Sequence, residues 1–159
     1  MGRRYIVPFD SVSMTQAQDL VQVKGAAGKI LKIVRQWGKP ADGNTLPAAQ
    51  NLRFRGRFLP ATVTDGSGGA AAVIGALDPG DAAASFTAKI NNTTKATTSG
   101  TAVILETGGE HEWNGYERVW DKAAQPTIGP SESWVFELLN APSGTVVMSG
   151  GVEVEEIGG

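Results

Sequence analysis

The 159-residue chain has no cysteine, one histidine and no apolar run approaching the ~20 residues of a membrane-spanning helix. Without cysteine there is no disulfide scaffold, no thiolate zinc site and no cysteine nucleophile, although the redox compartment stays open. With His111 alone, a metal site built from several imidazoles is excluded. A metal would have to combine His111 with Glu110 or Glu112, which flank it on the opposite face of a strand. Ser–His–Asp catalysis would also depend on this one imidazole, and no G-x-S-x-G elbow accompanies it. An ordinary strand or loop histidine is the simpler reading.

Charge of one sign is also lacking. The net charge of −2 gives no global pull toward nucleic acid or a membrane. The N-terminus carries the basic pair Arg3-Arg4, but too few apolar residues follow for a signal peptide, and Ile6 fails the myristoylation pattern. The expectation is a soluble protein made in a cytoplasm.

What is present is a globular composition: 41% apolar and 19% charged residues, with 21 glycines and 8 prolines. That density of breakers suits short strands joined by turns. The clearest strand is Asn51–Pro60. Leu52, Phe54, Gly56 and Phe58 alternate with Arg53, Arg55 and Arg57, so one face packs into a core and the other carries three guanidinium groups. Ser133–Leu139 alternates as cleanly, with Trp134, Phe136 and Leu138 opposite Val135 and Glu137. In Lys29–Trp37 we expect Leu31, Ile33 and Trp37 to face inward, with Arg35 bent to a rim or paired. Further strands are expected at Asp19–Val23, Thr62–Thr64, Val73–Leu77, Ser85–Ile90, Thr101–Glu106 (broken by Gly108-Gly109), Glu110–Trp120 and Thr145–Ile157, the last with a bulge or kink at Gly150-Gly151. Residues 38–50 read as a long loop. Residues 1–18 read as an N-terminal arm or edge strand, and 19–159 as a single domain. About eight to ten short strands without a helix predict an all-β antiparallel sandwich, jelly-roll-like.

Several groups are candidates for chemistry, each with a plainer alternative. Gly66–Ala71 matches the letters of a dinucleotide fingerprint, but no βαβ context surrounds it. Glu110 and Glu112 share a strand face at about 7 Å, a spacing open to paired carboxylates, although catalytic pairs usually face each other across a cleft. Asn91-Asn92-Thr93-Thr94 holds two overlapping glycosylation sequons and reads as a turn. Trp113, Tyr116 and Trp120 are candidates for a stacking platform or a protein contact, or for the core. Arg53, Arg55 and Arg57 pair with acids such as Glu153 and Glu155, or meet a partner, or bind nucleic acid; the acidic net charge counts against the last. No cofactor or metal is implied.

Gly129–Ser133, Trp134–Leu138 and the closing segment Gly144–Gly159, together with the opening Met1–Phe9 and the Lys29–Trp37 strand, resemble small jelly-roll virion proteins of tailed phages and prophages. The resemblance implies a non-enzymatic capsid decoration or cement protein, located in the virion. Its partners would be the major capsid protein or another virion protein, and itself as a dimer or trimer, with neither nucleic acid nor membrane. No functional residue is carried over. The partner-binding candidates read from the residues are Arg3, Arg4 and Tyr5 on the arm, Arg53, Arg55 and Arg57 on the striped strand, and Trp113, Tyr116 and Trp120. The alternatives are a carbohydrate- or receptor-binding module of a tail or fibre, and a hydrolase using His111 or the Glu110/Glu112 pair.

Overall fold

The computed structural model describes residues 2–41, 50–111 and 113–158. The expected loop at 38–50 lies mostly outside them, as does Glu112. Among the described residues there are fourteen strands and no helix. Eight of them form the frame: β1 (Arg3–Met14), β2 (Gln18–Lys24), β3 (Ile30–Pro40), β4 (Asn51–Leu59), β10 (Val103–His111), β11 (Tyr116–Val119), β13 (Ser133–Leu138) and β14 (Val146–Ile157). The others are short: β5 (Val63–Thr64), β6 (Ala70–Ala71), β7 (Gly75–Ala76), β8 (Thr87–Asn92), β9 (Thr97–Thr98) and β12 (Thr127–Ile128).

One sheet runs β11-β3-β14-β1-β7, with β12 also on β3; the other runs β10-β4-β13-β2-β8-β6. Successive frame strands β1 to β4 alternate between the sheets. Each is paired with a later strand: β1 with β14, β2 with β13, β3 with β11 and β4 with β10. This is a long antiparallel ribbon rolled into two packed sheets, the jelly-roll arrangement. The prediction of an all-β sandwich holds, and the excess strands belong mostly to the 60–102 segment between β4 and β10.

That segment has two structural roles. Its β7 extends the first sheet beside β1, and its β8 and β6 extend the second beside β2, so it shields one lateral side of the sandwich. It also covers part of the outer face of the second sheet. Leu59, Val63, Ala96 and Val135 form a small apolar cluster there, separate from the main core. This is why β13 is buried along its whole length: Trp134, Phe136 and Leu138 face the main core, while Val135 and Glu137 face the covering segment.

The main core is aromatic at its centre. Phe54 stacks on Tyr116 with ring centroids 5.2 Å apart, Phe136 lies against both, and Trp120 meets Trp134 edge to face. A polar chain threads it. Trp134 Nε1 donates to Gln36 Oε1, Gln36 Nε2 to the Tyr116 hydroxyl, and that hydroxyl to Glu106 Oε1. Each buried polar group thereby finds a partner. Burial is the main reason the Tyr116 hydroxyl is pushed up to about 12.

Four expectations are corrected. Of the two readings of the N-terminal segment, the arm is overturned: residues 3–14 form β1, which pairs with β14 along its length and with β7 only at Tyr5 and Ile6, with Tyr5, Val7, Phe9 and Met14 buried. In β3, Leu31 and Ile33 face inward, but a bulge at Val34 reverses the alternation. Trp37 therefore lies on the outer face, with the Arg35 guanidinium 4.5 Å above its ring, and Gln36 takes the inward place. Gly108-Gly109 does not break β10: the two glycines stand opposite Phe54 and Arg53, and the strand continues to His111. Gly150-Gly151 is not a bulge either, since its register with β1 and β3 is continuous. A Cβ at Gly151 would press on the Trp37 ring and the Val7 carbonyl, so close packing accounts for the glycine there. The irregularity falls instead in β1 at Asp10-Ser11, where Ser11 has φ +50°.

Candidate interaction surfaces

The arginine stripe divides. Arg53 is exposed. Arg55 and Arg57 are drawn into a buried charge cluster beneath the 60–102 segment. β4 lies between β10 and β13 in its sheet, which sets Arg55 opposite Glu137 and Arg57 opposite Val135. Glu137 is fully buried and meets three cations: Arg55 Nε, Arg57 Nε at 3.2 Å and Lys95 Nζ at 2.9 Å. The Arg57 Nε approach is an ion pair without hydrogen-bond alignment. Asp19, also fully buried, accepts from Arg57 Nη2 at 3.2 Å and from the Ala96 amide at 2.7 Å.

Burial pushes the Asp19 carboxyl up to about 6; the Ala96 amide and the Arg57 charge pull the other way, and the Glu137 charge adds to the rise. Glu153 and Glu155, expected as partners of the stripe, belong to the other sheet. Glu153 pairs with Arg4 at 3.2 Å, and Glu155 stands in register with Lys32 and Arg4. Of the three weighed readings, pairing within the subunit describes Arg55 and Arg57, with Asp19 and Glu137 as the acids.

The remaining candidates are scattered. Arg3 lies 3.6 Å from Asp81, and Tyr5 is buried edge-on to Phe86 with its hydroxyl donating to the Ala82 carbonyl. The aromatic platform is dissolved: Tyr116 and Trp120 are core residues, and Trp113 alone is exposed, at 60%. The Gly66–Ala71 amides serve the fold. The Gly66 amide donates to Gln22 and the Ser67 amide to Thr94, while Ala70-Ala71 forms β6 rather than a helix N-terminus. Asn92 is buried, which removes that acceptor from the surface, and the half-buried Asn91 is held by Gln18. Glu110 sits on β10 opposite Leu52, and His111 ends that strand, its Nδ1 lying 3.5 Å from the Trp113 amide. Among the described residues no three His, Cys, Asp or Glu side chains are placed to share a metal ion.

One surface was not anticipated. Among the described residues eight large apolar side chains are exposed, and five of them lie on the β10–β11 segment: Val103, Ile104, Leu105, Trp113 and Val119. Ile104 and Leu105 are about half exposed, at 49% and 47%. This segment passes from the edge of one sheet to the edge of the other, on the lateral side opposite the one shielded by β6, β7 and β8. Among the described residues β10 pairs with β4 alone, and no described strand covers the other edge of its Val103–Glu110 stretch. An exposed strand edge offers unpaired amides and carbonyls, and it invites another strand. The Val103-Ile104-Leu105 triplet had signalled a strand; its lack of alternation was the hint that no single face of it was buried.

No family model matches the chain, and no curated protein or solved structure matches it.

Proposed function

We propose that this chain is a non-enzymatic structural protein of a phage particle, which decorates and stabilises the capsid by bridging neighbouring capsid subunits. The observation that carries the reading is the lateral side formed by β10 and β11, where an open strand edge and five of the eight exposed large apolar residues coincide. Soluble proteins normally blunt or cover such edges, and large apolar side chains left exposed together on one side suit a contact. The jelly roll supports the reading because its rigid two-sheet frame presents that edge at a fixed place. The sequence resemblance to phage decoration proteins supplies the kind of partner: the major capsid protein, or another virion protein, in the virion. Many copies on a regular lattice would stabilise it even where each contact is modest.

The test is direct. Purified particles should contain the protein at a fixed stoichiometry on the shell, seen by electron microscopy, and shells lacking it should rebind added protein. Particles without the chain would end the proposal, and a few copies confined to the tail would move it to a tail or fibre role.

A further inference from the structure

We propose that the open edge of β10 is closed by β10 of a second copy, antiparallel about a two-fold axis at Thr107. This deepens the reading above by naming a self-contact, but its physical basis is independent of any particle. The residue order of β10 is what points to a second copy. It has an apolar end at Val103–Leu105, a centre of Glu106-Thr107-Gly108-Gly109, and, just beyond its far end, the exposed Trp113. In a two-fold contact every residue i that touches j is matched by j touching i. A strand with its apolar groups at both ends is therefore complementary to itself when reversed.

The charges choose the register. With Thr107 on the axis, Glu106 faces Gly108 of the other copy and Leu105 faces Gly109. Each Trp113 then reaches the level of residues 101–103 opposite. Threonine facing threonine is a favourable cross-strand pair, and no like charges stand directly opposed. Placing the axis one residue further, at Gly108, would set Glu106 against Glu110. Glu106 is moreover held by Arg118 at 3.3 Å and by the Tyr116 hydroxyl, which restrains its charge on its own side. β10 has no proline and no lysine to blunt the edge. Its bulge between Ile104 and Glu106 confines the regular part of the new ladder to Glu106–Gly108, leaving Val103–Leu105 to make side-chain contacts with Gly109, Glu110 and the Trp113 end.

Because the chain has no cysteine, a single Thr107→Cys substitution tests the geometry cleanly. Paired Cα atoms on the axis would stand about 4.5–5.5 Å apart, within the usual range of a disulfide, about 4.4–6.8 Å. Thr107→Cys should crosslink to a covalent dimer under mild oxidation, while Val73→Cys, exposed at a distant site, should not. Sedimentation of the native chain should give the mass of two chains, and Ile104→Lys with Leu105→Lys should shift it to one while circular dichroism stays native. A monomeric native chain, a dimer indifferent to the lysines, or Thr107→Cys crosslinking no faster than Val73→Cys would each overturn the proposal. A dimer that behaves as expected but binds no particle would instead count against the capsid reading alone.

Discussion

Trp134 lies directly against Gly56 on the neighbouring strand. A Cβ at Gly56 would overlap the indole ring, and the Glu106 side chain closes the same space from β10. The inward glycine in the arginine-striped strand is thus the seat of the largest fully buried side chain. Gly56→Ala is expected to destabilise the fold by about 1–3 kcal/mol, the usual cost of overpacking a core. Urea denaturation with an unchanged slope and a lowered midpoint is the readout; an unchanged midpoint would show that the ring shifts freely.

Glu137 is the acid on which three cations converge, so removing its charge should cost far more than a surface substitution. Glu137→Gln is expected to lose about 3–5 kcal/mol, because Arg55 and Lys95 would be left partly buried and uncompensated and Arg57 would keep Asp19 alone. Arg53→Ala, on the exposed end of the same stripe, should stay within about 0.5 kcal/mol. Equal effects of the two substitutions would contradict the division of the stripe.

Asp19 gives a pH dependence of definite sign. Its carboxyl is raised from 3.8 to about 6 by burial, so between these values the folded chain binds more protons here than the unfolded chain. Its contribution to stability is therefore full below about pH 4 and is lost as the pH rises through about 6. The full change is of order 3 kcal/mol. Asp19→Asn, which stays neutral, should remove this component. The check is chemical denaturation at pH 4.5 and 7 for both proteins. The stability gain on acidification should be larger for the native chain than for the variant, and the same gain in both would refute the assignment.

The three aromatics once grouped by sequence should now separate. Trp120→Ala is expected to lose about 3–5 kcal/mol through the cavity left beside Trp134. Trp113→Ala should leave the thermal midpoint nearly unchanged and act only on association. Measuring both by thermal unfolding distinguishes them; a strongly destabilised Trp113→Ala would place that ring in the fold rather than on the contact surface.

Much of the fold was legible because strand alternation is local. Leu52, Phe54, Trp134, Phe136 and Leu138 face the core as their spacing requires, and the strand count pointed to a sandwich. Trp37 was misplaced because a bulge is a property of two paired strands: the extra residue at Val34 exists only relative to Glu153 and Val154 on β14. The N-terminal segment reads as an arm or an edge strand because Arg3–Phe9 is short and β-prone and Pro8 cannot donate to a ladder; which strand it pairs with is not written in its own residues. The partners of Arg55 and Arg57 were sought on the wrong strand, since Glu153 and Glu155 share their alternation while Glu137 and Asp19 share their sheet.

The sequence by itself determined the class: cysteine-free, helix-poor, built of alternating strands with a mixed and nearly balanced surface charge. Those properties follow from side-chain type and a period of two, which need no knowledge of neighbours. Only the tertiary structure decided which charges are buried, which aromatics form the core and which strand edge is left open. Each of these depends on contacts between residues far apart in the chain, as where Lys95 reaches Glu137 and the 60–102 segment shields one side of the sandwich while, among the described residues, no strand covers the Val103–Glu110 edge of β10.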